Sequence, residues 1–131
     1  MESPVRLHLV QPDQPVVLVA EDDVSVQHIV RVTLERDGYF VLAAESAEEA
    51  LLISRKTDLK IHLVLSDIHM PKMSGIELAR IITKERVGIH VLLMSPSVEE
   101  HAHGYAILKK PLAPCRLIEI VRGLLPLSMK T

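Results

Sequence analysis

The chain has 131 residues, 48% of them hydrophobic and 24% charged, and its formal net charge at pH 7 is −2. This balance is typical of one globular domain with a sizeable core and excludes a wholly disordered chain. Aromatic residues make up only 2% of the chain, which argues against modules that stack nucleic-acid bases on aromatic side chains. The small negative charge gives no electrostatic reason for direct binding to nucleic acid or to a membrane surface.

Cys115 is the single cysteine, which rules out an internal disulfide and fits a reducing compartment. We expect it to be a small buried residue on a helix. No apolar run approaches the ~20 residues of a membrane-spanning helix, and the N-terminus has no signal-peptide pattern. These features predict a soluble, cytoplasmic protein that does not insert into a membrane.

Strand-like and helix-like stretches alternate along the chain. Residues 1–14 are predicted to be an N-terminal extension, 15–127 the folded domain and 128–131 a C-terminal tail. Apolar runs predict strands at about 16–20, 39–43, 62–66, 90–94 and 106–108. Apolar residues at helical spacing predict helices at about 24–37, 47–57, 75–86 and 114–125. The alternation predicts an α/β fold, a doubly wound parallel sheet with helices on both faces.

Serine three residues before glutamate, the spacing of a capping box, marks three helix starts: Ser46–Glu49, Ser74–Glu77 and Ser97–Glu100. The third start is followed by Gly104 and then by the last predicted strand, so its helix has room for about one and a half turns. A parallel crossover usually needs a dozen or more residues. The sequence therefore predicts a shortened fourth helix.

Four of the predicted strands end at polar residues. The first leads into Glu21-Asp22-Asp23, the third into Asp67, the fourth into Ser95 and the fifth into Lys110. Ligands in open α/β sheets bind outside the carboxyl ends of the strands. Carboxylates gathered there suit Mg²⁺, a hydroxyl can donate to a phosphoryl oxygen, and an ammonium can offset its charge. The pattern indicates an aspartate that can be phosphorylated.

Each of these residues also has an ordinary structural interpretation. Asp23 before a helix can simply complement the helix dipole, and Asp67 alone can cap a turn. Ser95 or Lys110 alone indicates nothing. The prediction of a site depends on their joint placement at successive strand ends.

These motifs resemble the receiver domain of bacterial two-component response regulators, a family that includes chemotaxis regulators, over roughly residues 15–127. The acidic run after the first strand carries part of the likeness, and Lys109-Lys110-Pro111 carries another part. The most specific stretch is Leu65–Gly75, which contains Asp-x-x-Met-Pro-x-Met-x-Gly. The resemblance implies a five-stranded, flavodoxin-like sheet of strand order 2-1-3-4-5.

Carried over by position, the resemblance implies that Asp67 is the phosphoacceptor and also binds Mg²⁺. It implies that Asp22 binds the cation directly, Glu21 through water, and His69 through its backbone carbonyl. Lys110 would pair with the phosphoryl group, and Ser95 stands at the position of the family's switch residue. The Lys110–Pro111 peptide is often cis in such proteins.

The resemblance also implies the partners. A histidine kinase or a phosphotransfer protein of a phosphorelay would donate the phosphoryl group, and signal transduction would continue through an unidentified protein target. At most, the phosphoprotein would catalyse its own magnesium-dependent phosphorylation and dephosphorylation. The chain has no room for a DNA-binding output domain, so we expect a receiver that stands alone or one excised from a longer protein.

Three departures from the family pattern concern the fourth and fifth strands. Pro96 follows Ser95, where the family usually has a small residue whose backbone N–H contacts the phosphoryl group. Ser95 and Lys110 are 15 residues apart, fewer than is usual. Ile107 replaces the aromatic switch residue, with Tyr105 two positions earlier.

The departures leave two main hypotheses open: a phosphorylation-dependent switch, or a degenerate receiver that acts as a phosphorylation-independent interaction module. A magnesium-dependent phosphatase is disfavoured, because such enzymes usually carry a second aspartate where this chain has His69. His101 and His103 are interpreted as loop residues rather than as a metal site. His62 and His90, at strand starts, are interpreted as structural.

Overall fold

A computed structural model describes residues 14–97 and 104–125. The strands are β1 (Val16–Ala20), β2 (Phe40–Ala44), β3 (Leu63–Asp67), β4 (His90–Ser95) and β5 (Ala106–Lys109). The helices are α1 (Val24–Arg36), α2 (Ala47–Lys56), α3 (Gly75–Glu85) and α4 (Pro114–Leu124). Every predicted strand and helix in these ranges is present, with boundaries that differ from the predicted ones by one residue at most.

All neighbouring strands are parallel, and their order in the sheet is β2-β1-β3-β4-β5. The predicted fold class is therefore confirmed. The order makes β1 and β3 neighbours, with Ala20 opposite Ser66. The carboxyl ends of these two strands consequently lie side by side at one edge of the sheet.

The core has two layers because side chains of a strand point alternately to opposite faces. On β1, Leu18 packs with one cluster, which includes residues of α2 and α3, whereas Val17 and Val19 pack with the other, which includes residues of α1 and α4. The apolar stripe predicted on α1 is buried at Val30 and Leu34. Helices thus cover both faces of the sheet.

The predicted helix starts differ in detail. Ser74 forms a complete capping box, in which its hydroxyl accepts from Glu77 N and its own N–H donates to the Glu77 side chain. At Ser46 only half of the box forms, because the Glu49 carboxylate accepts from Glu45 N instead. The third predicted box begins at Ser97 and continues into residues outside the described ranges.

The segment between β4 and β5 spans residues 96–105, and the described part of it contains no helical residue. The predicted short helix lies mostly at residues 98–103, outside the described ranges, as do His101 and His103. Tyr105 and Ile107 are half-buried and pack against the same core cluster, which also includes residues of α2 and α3. Both side chains therefore lie on one face of the sheet.

The structure also bears on the predictions about Cys115 and about membrane-spanning helices. Cys115 is exposed, so the prediction that it is buried was wrong. It lies in the first turn of α4, whose buried side chains are Leu117 and Val121 on another face of the helix. Among the described residues, no helix is both long enough and apolar enough to cross a bilayer.

Candidate phosphoacceptor and metal site

Three carboxylates meet at the carboxyl ends of β1 and β3. Glu21 and Asp22 directly follow β1, and Asp67 is the last residue of β3. One oxygen from each of the three lies within 4.8 Å of the other two. Glu21 is fully buried and Asp67 is 6% exposed, whereas Asp22 lies at the surface. The cluster therefore has a buried side and a side open to solvent.

Lys110 directly follows β5 and reaches this cluster past β4. Its Nζ lies 2.9 Å from Glu21 Oε1 and 3.2 Å from Asp67 Oδ2. Its backbone N–H donates to Ser95 O at 2.8 Å, and its peptide bond to Pro111 is cis. One ammonium group is thus shared between two buried carboxylates.

The local electrostatics follow from burial and from the small spacing of charges. Burial raises the pKa of Glu21 above its usual value, and the nearby Asp67 carboxylate adds to this, while the Asp23 N–H and Lys110 oppose it. Burial alone would lower the pKa of Lys110, but its contacts with Glu21 and Asp67 outweigh that effect and raise it. Lys110 therefore stays charged at neutral pH.

The metal-binding capacity of the cluster can be judged from Glu21. Its Oε1 is buried and accepts no hydrogen bond from the described residues, so its contact with Lys110 is an ion pair by distance alone. Burying a carboxylate oxygen without a hydrogen bond is costly, and the Lys110 ammonium, 2.9 Å away, is the cation that offsets this cost. Three carboxylates facing one ammonium also leave an excess of negative charge. Oxygen donors in this number suit Mg²⁺, and Glu21, Asp22 and Asp67 are the residues that fit it.

Ser95 and His69 flank Asp67. Ser95 ends β4, where the residue before it, Met94, is opposite Asp67. Its side chain is fully buried, and its hydroxyl accepts from Ser97 N at 3.2 Å. The backbone N–H of His69 donates to Asp67 Oδ1 at 3.4 Å, while the residue itself is exposed. The structure thus gathers all the predicted site residues at one edge of the sheet.

Three further contacts shape the site. Asp23 is the N-cap of α1, since its Oδ1 accepts from Ser25 N and Val26 N, and this favours the structural interpretation of that residue. Gln27 contacts the backbone at the ends of β1 and β2. Gly75 lies against the backbone of Asp67. Asp23 stands at a helix-capping position and Gly75 is the last residue of the motif that begins at Asp67, but no local signal marks the contacts of Gln27.

The chain matches the response regulator receiver domain family over residues 17–122. It is 27% identical over 128 residues to the transcriptional regulatory protein ResD of Bacillus subtilis, which covers 92% of this chain and 52% of the relative. It is 31% identical over 84 residues to the alkaline phosphatase synthesis transcriptional regulatory protein PhoP of the same organism, covering 64% of this chain and 34% of the relative. This chain belongs to the receiver domain family of two-component response regulators.

A solved structure agrees with that assignment. The response regulator TrrA of Thermotoga maritima, in complex with Mg²⁺-BeF, is 26% identical, with a TM-score of 0.76 over 86% of this chain and 100% of that one. The acidic cluster is of the kind typical of the phosphoacceptor site in such domains. This chain spans between a third and about half of the length of the two curated relatives.

Proposed function

We propose that this receiver domain accepts a phosphoryl group on Asp67 from a phosphohistidine of a partner kinase or phosphotransfer protein, in a Mg²⁺-dependent reaction. The observation that carries the proposal is the pairing of a nearly buried Asp67 with Lys110, beside two further carboxylates. An aspartate needs such surroundings to act as a nucleophile toward a phosphoryl group, because both are negatively charged.

Each neighbouring residue has a distinct part in the proposed reaction. A carboxylate oxygen of Asp67 attacks the phosphorus atom, the phosphorus–nitrogen bond of the donor breaks, and the imidazole leaves with its electron pair and takes up a proton. Lys110, already 3.2 Å from Asp67 Oδ2, offsets charge on the transferred oxygens. A cation held by Glu21, Asp22 and Asp67 would supply further charge neutralisation. The Ser95 hydroxyl stands at the adjacent strand end, where it can turn to donate to the product.

The proposal can be tested with a small phosphoryl donor. The chain is incubated with acetyl phosphate and Mg²⁺, and its intact mass is measured. We expect a gain of one phosphoryl group in the wild type, and none when a chelator removes the divalent cation. Asp67→Asn should gain nothing, whereas Asp58→Asn, a matched change at an exposed aspartate, should behave as the wild type does.

One observation favours the degenerate interaction module as a second candidate. Pro96 directly follows Ser95 and offers no backbone N–H to a phosphoryl group. If neither acetyl phosphate nor phosphoramidate adds mass to the wild type, the proposed phosphorylation is wrong and the interaction module is favoured. Equal mass gain in the wild type and Asp67→Asn would instead place the acceptor at another residue.

A further inference from the structure

Gln27 joins the acidic loop to the neighbouring strand. Its Nε2 donates to Ala44 O at 2.9 Å and to Glu21 O at 3.2 Å. Ala44 O also accepts from Glu21 N at 3.1 Å. The side chain is half-buried and lies in the second turn of α1, after the N-cap Asp23. One carboxamide thus ties together the ends of β1, β2 and the start of the first helix.

These contacts bear on the carboxylates through the backbone. The Glu21 carbonyl belongs to the peptide unit that leads into Asp22, so a hydrogen bond to that oxygen limits rotation of the peptide. The orientation of this peptide sets the direction in which the Asp22 side chain leaves the main chain. Glu21 N is held by Ala44 O, and Glu21 Oε2 accepts from Asp23 N. Gln27 therefore supplies the side-chain restraint on the peptide between the two acidic residues.

We propose that Gln27 is a positioning residue of the acidic site, which orients the Glu21–Asp22 peptide so that both carboxylates face Asp67 and thereby sets the affinity for a divalent cation. The inference rests on the function proposed above. Residues that hydrogen-bond to a metal-coordinating residue, without contacting the metal themselves, commonly raise metal affinity. A coordinating side chain that must first become ordered when the metal binds gives weaker binding. Gln27 acts in this way without touching the cation itself.

The test compares Mg²⁺ dissociation constants, measured by NMR titration of backbone amides in the full chain. Gln27→Met has a similar length but no donor, and Gln27→Glu keeps size and polarity but presents an acceptor to the two carbonyls. We expect the dissociation constant to rise roughly tenfold in Gln27→Met, and by less in Gln27→Glu, because its added carboxylate attracts the cation. The phosphorylation rate by acetyl phosphate should fall at low Mg²⁺ and approach the wild-type rate at saturating Mg²⁺.

A destabilising substitution on the same helix separates positioning from general destabilisation. Val30→Ala creates a cavity on the buried face of the same helix, so it should lower the melting temperature and leave the Mg²⁺ dissociation constant unchanged. An unchanged dissociation constant in both Gln27 variants, or an equal rise in Val30→Ala, would overturn the inference while leaving the proposed function intact. If the wild type itself binds no Mg²⁺ and takes up no phosphoryl group, the proposed function and this inference both fail.

Discussion

Gly75 illustrates how a single residue controls the shape of the site. It is the first residue of α3, and its backbone N–H donates to Ile68 O at 2.9 Å. A Cβ atom at this position would overlap the carbonyl oxygen of Asp67 and would lie 2.9 Å from Ser66 Oγ. Only a residue without a side chain lets the start of α3 pass so close to the end of β3.

We therefore expect Gly75→Ala to displace the backbone of Asp67. The clash is with main-chain atoms that cannot simply rotate away, so the free energy of unfolding should fall by about 1–3 kcal/mol. Phosphorylation by acetyl phosphate should slow in parallel. Urea unfolding and intact mass over time are the measurements.

Gly123→Ala is the matched control for that substitution. Gly123 lies in α4, where an added Cβ would meet no atom within 4 Å. Alanine is the better helix former, so this change should raise the free energy of unfolding by about 0.5 kcal/mol. Equal effects of the two substitutions would contradict the role given to the glycine before α3.

At the scale of elements, helix capping followed the local sequence only in part. The Ser74 box is complete, whereas Glu49 binds Glu45 N, one residue before the cap. Both helices nevertheless begin at the predicted residue, since the serine hydroxyl accepts from the third helical N–H in each. The spacing of serine and glutamate alone therefore does not determine which backbone N–H the glutamate binds.

Two of the three departures from the family pattern, Pro96 and the short spacing between Ser95 and Lys110, concern the crossover between β4 and β5. The crossover begins at Pro96, an exposed residue directly after the buried Ser95. Replacing this proline by alanine provides a backbone N–H directly after Ser95. If that N–H donates to a phosphoryl group, Pro96→Ala should bind beryllofluoride, a phosphoryl mimic, roughly tenfold more tightly than the wild type, as expected for one hydrogen bond to a charged group.

Fluorine NMR of beryllofluoride complexes measures this difference. Pro114→Ala, a matched change at an exposed proline at the start of α4, should leave the affinity unchanged. Equal affinities of the wild type and Pro96→Ala would show that the missing N–H has no consequence for the phosphorylated form.

At the scale of the whole molecule, one end of the sheet carries the candidate site, whereas contacts at the other end stabilise the fold. The carboxyl ends of the strands carry the acidic cluster, whereas His62, just before β3, belongs to the opposite end. Its Nδ1 accepts from Val16 N at 3.0 Å, so the interpretation of His62 as structural is confirmed. Burial lowers the pKa of His62, and the nearby charges of Lys60 and His90 lower it further.

This contact predicts a dependence of stability on pH. Since the native pKa lies below the unfolded value of about 6.5, the unfolded chain binds more protons than the native one between those two values. The free energy of unfolding should be at its full value above about pH 6.5 and should decrease as the pH falls from there to the native pKa. Urea unfolding at a series of pH values measures the effect.

His62→Asn is the informative variant, because asparagine keeps an acceptor in place of Nδ1 and does not titrate. We expect its unfolding free energy to decrease less steeply in that pH range. His28→Asn, at an exposed position on α1, serves as the control. A slope in His62→Asn as steep as that of the wild type would contradict this assignment.

The sequence by itself determined the order and type of the elements, the position of the acidic residues at strand ends, and the family motif around Asp67. These properties depend on residues close together in the chain: apolar periodicity, helix starts, and the polar group that follows each strand. Residue-level burial was less secure, as the exposed Cys115 shows, because that prediction was made from residue type, which does not say which face of α4 the side chain occupies.

Only the tertiary structure decided which residues contact one another across the sheet. Lys110 meets Glu21 and Asp67 because β4 and β5 follow β3 in the sheet and the long lysine side chain spans the gap. Gln27 reaches Ala44 because β2 lies beside β1. Such contacts join residues that are distant in the chain, and they depend on strand order, register and side-chain direction together, which no local pattern contains.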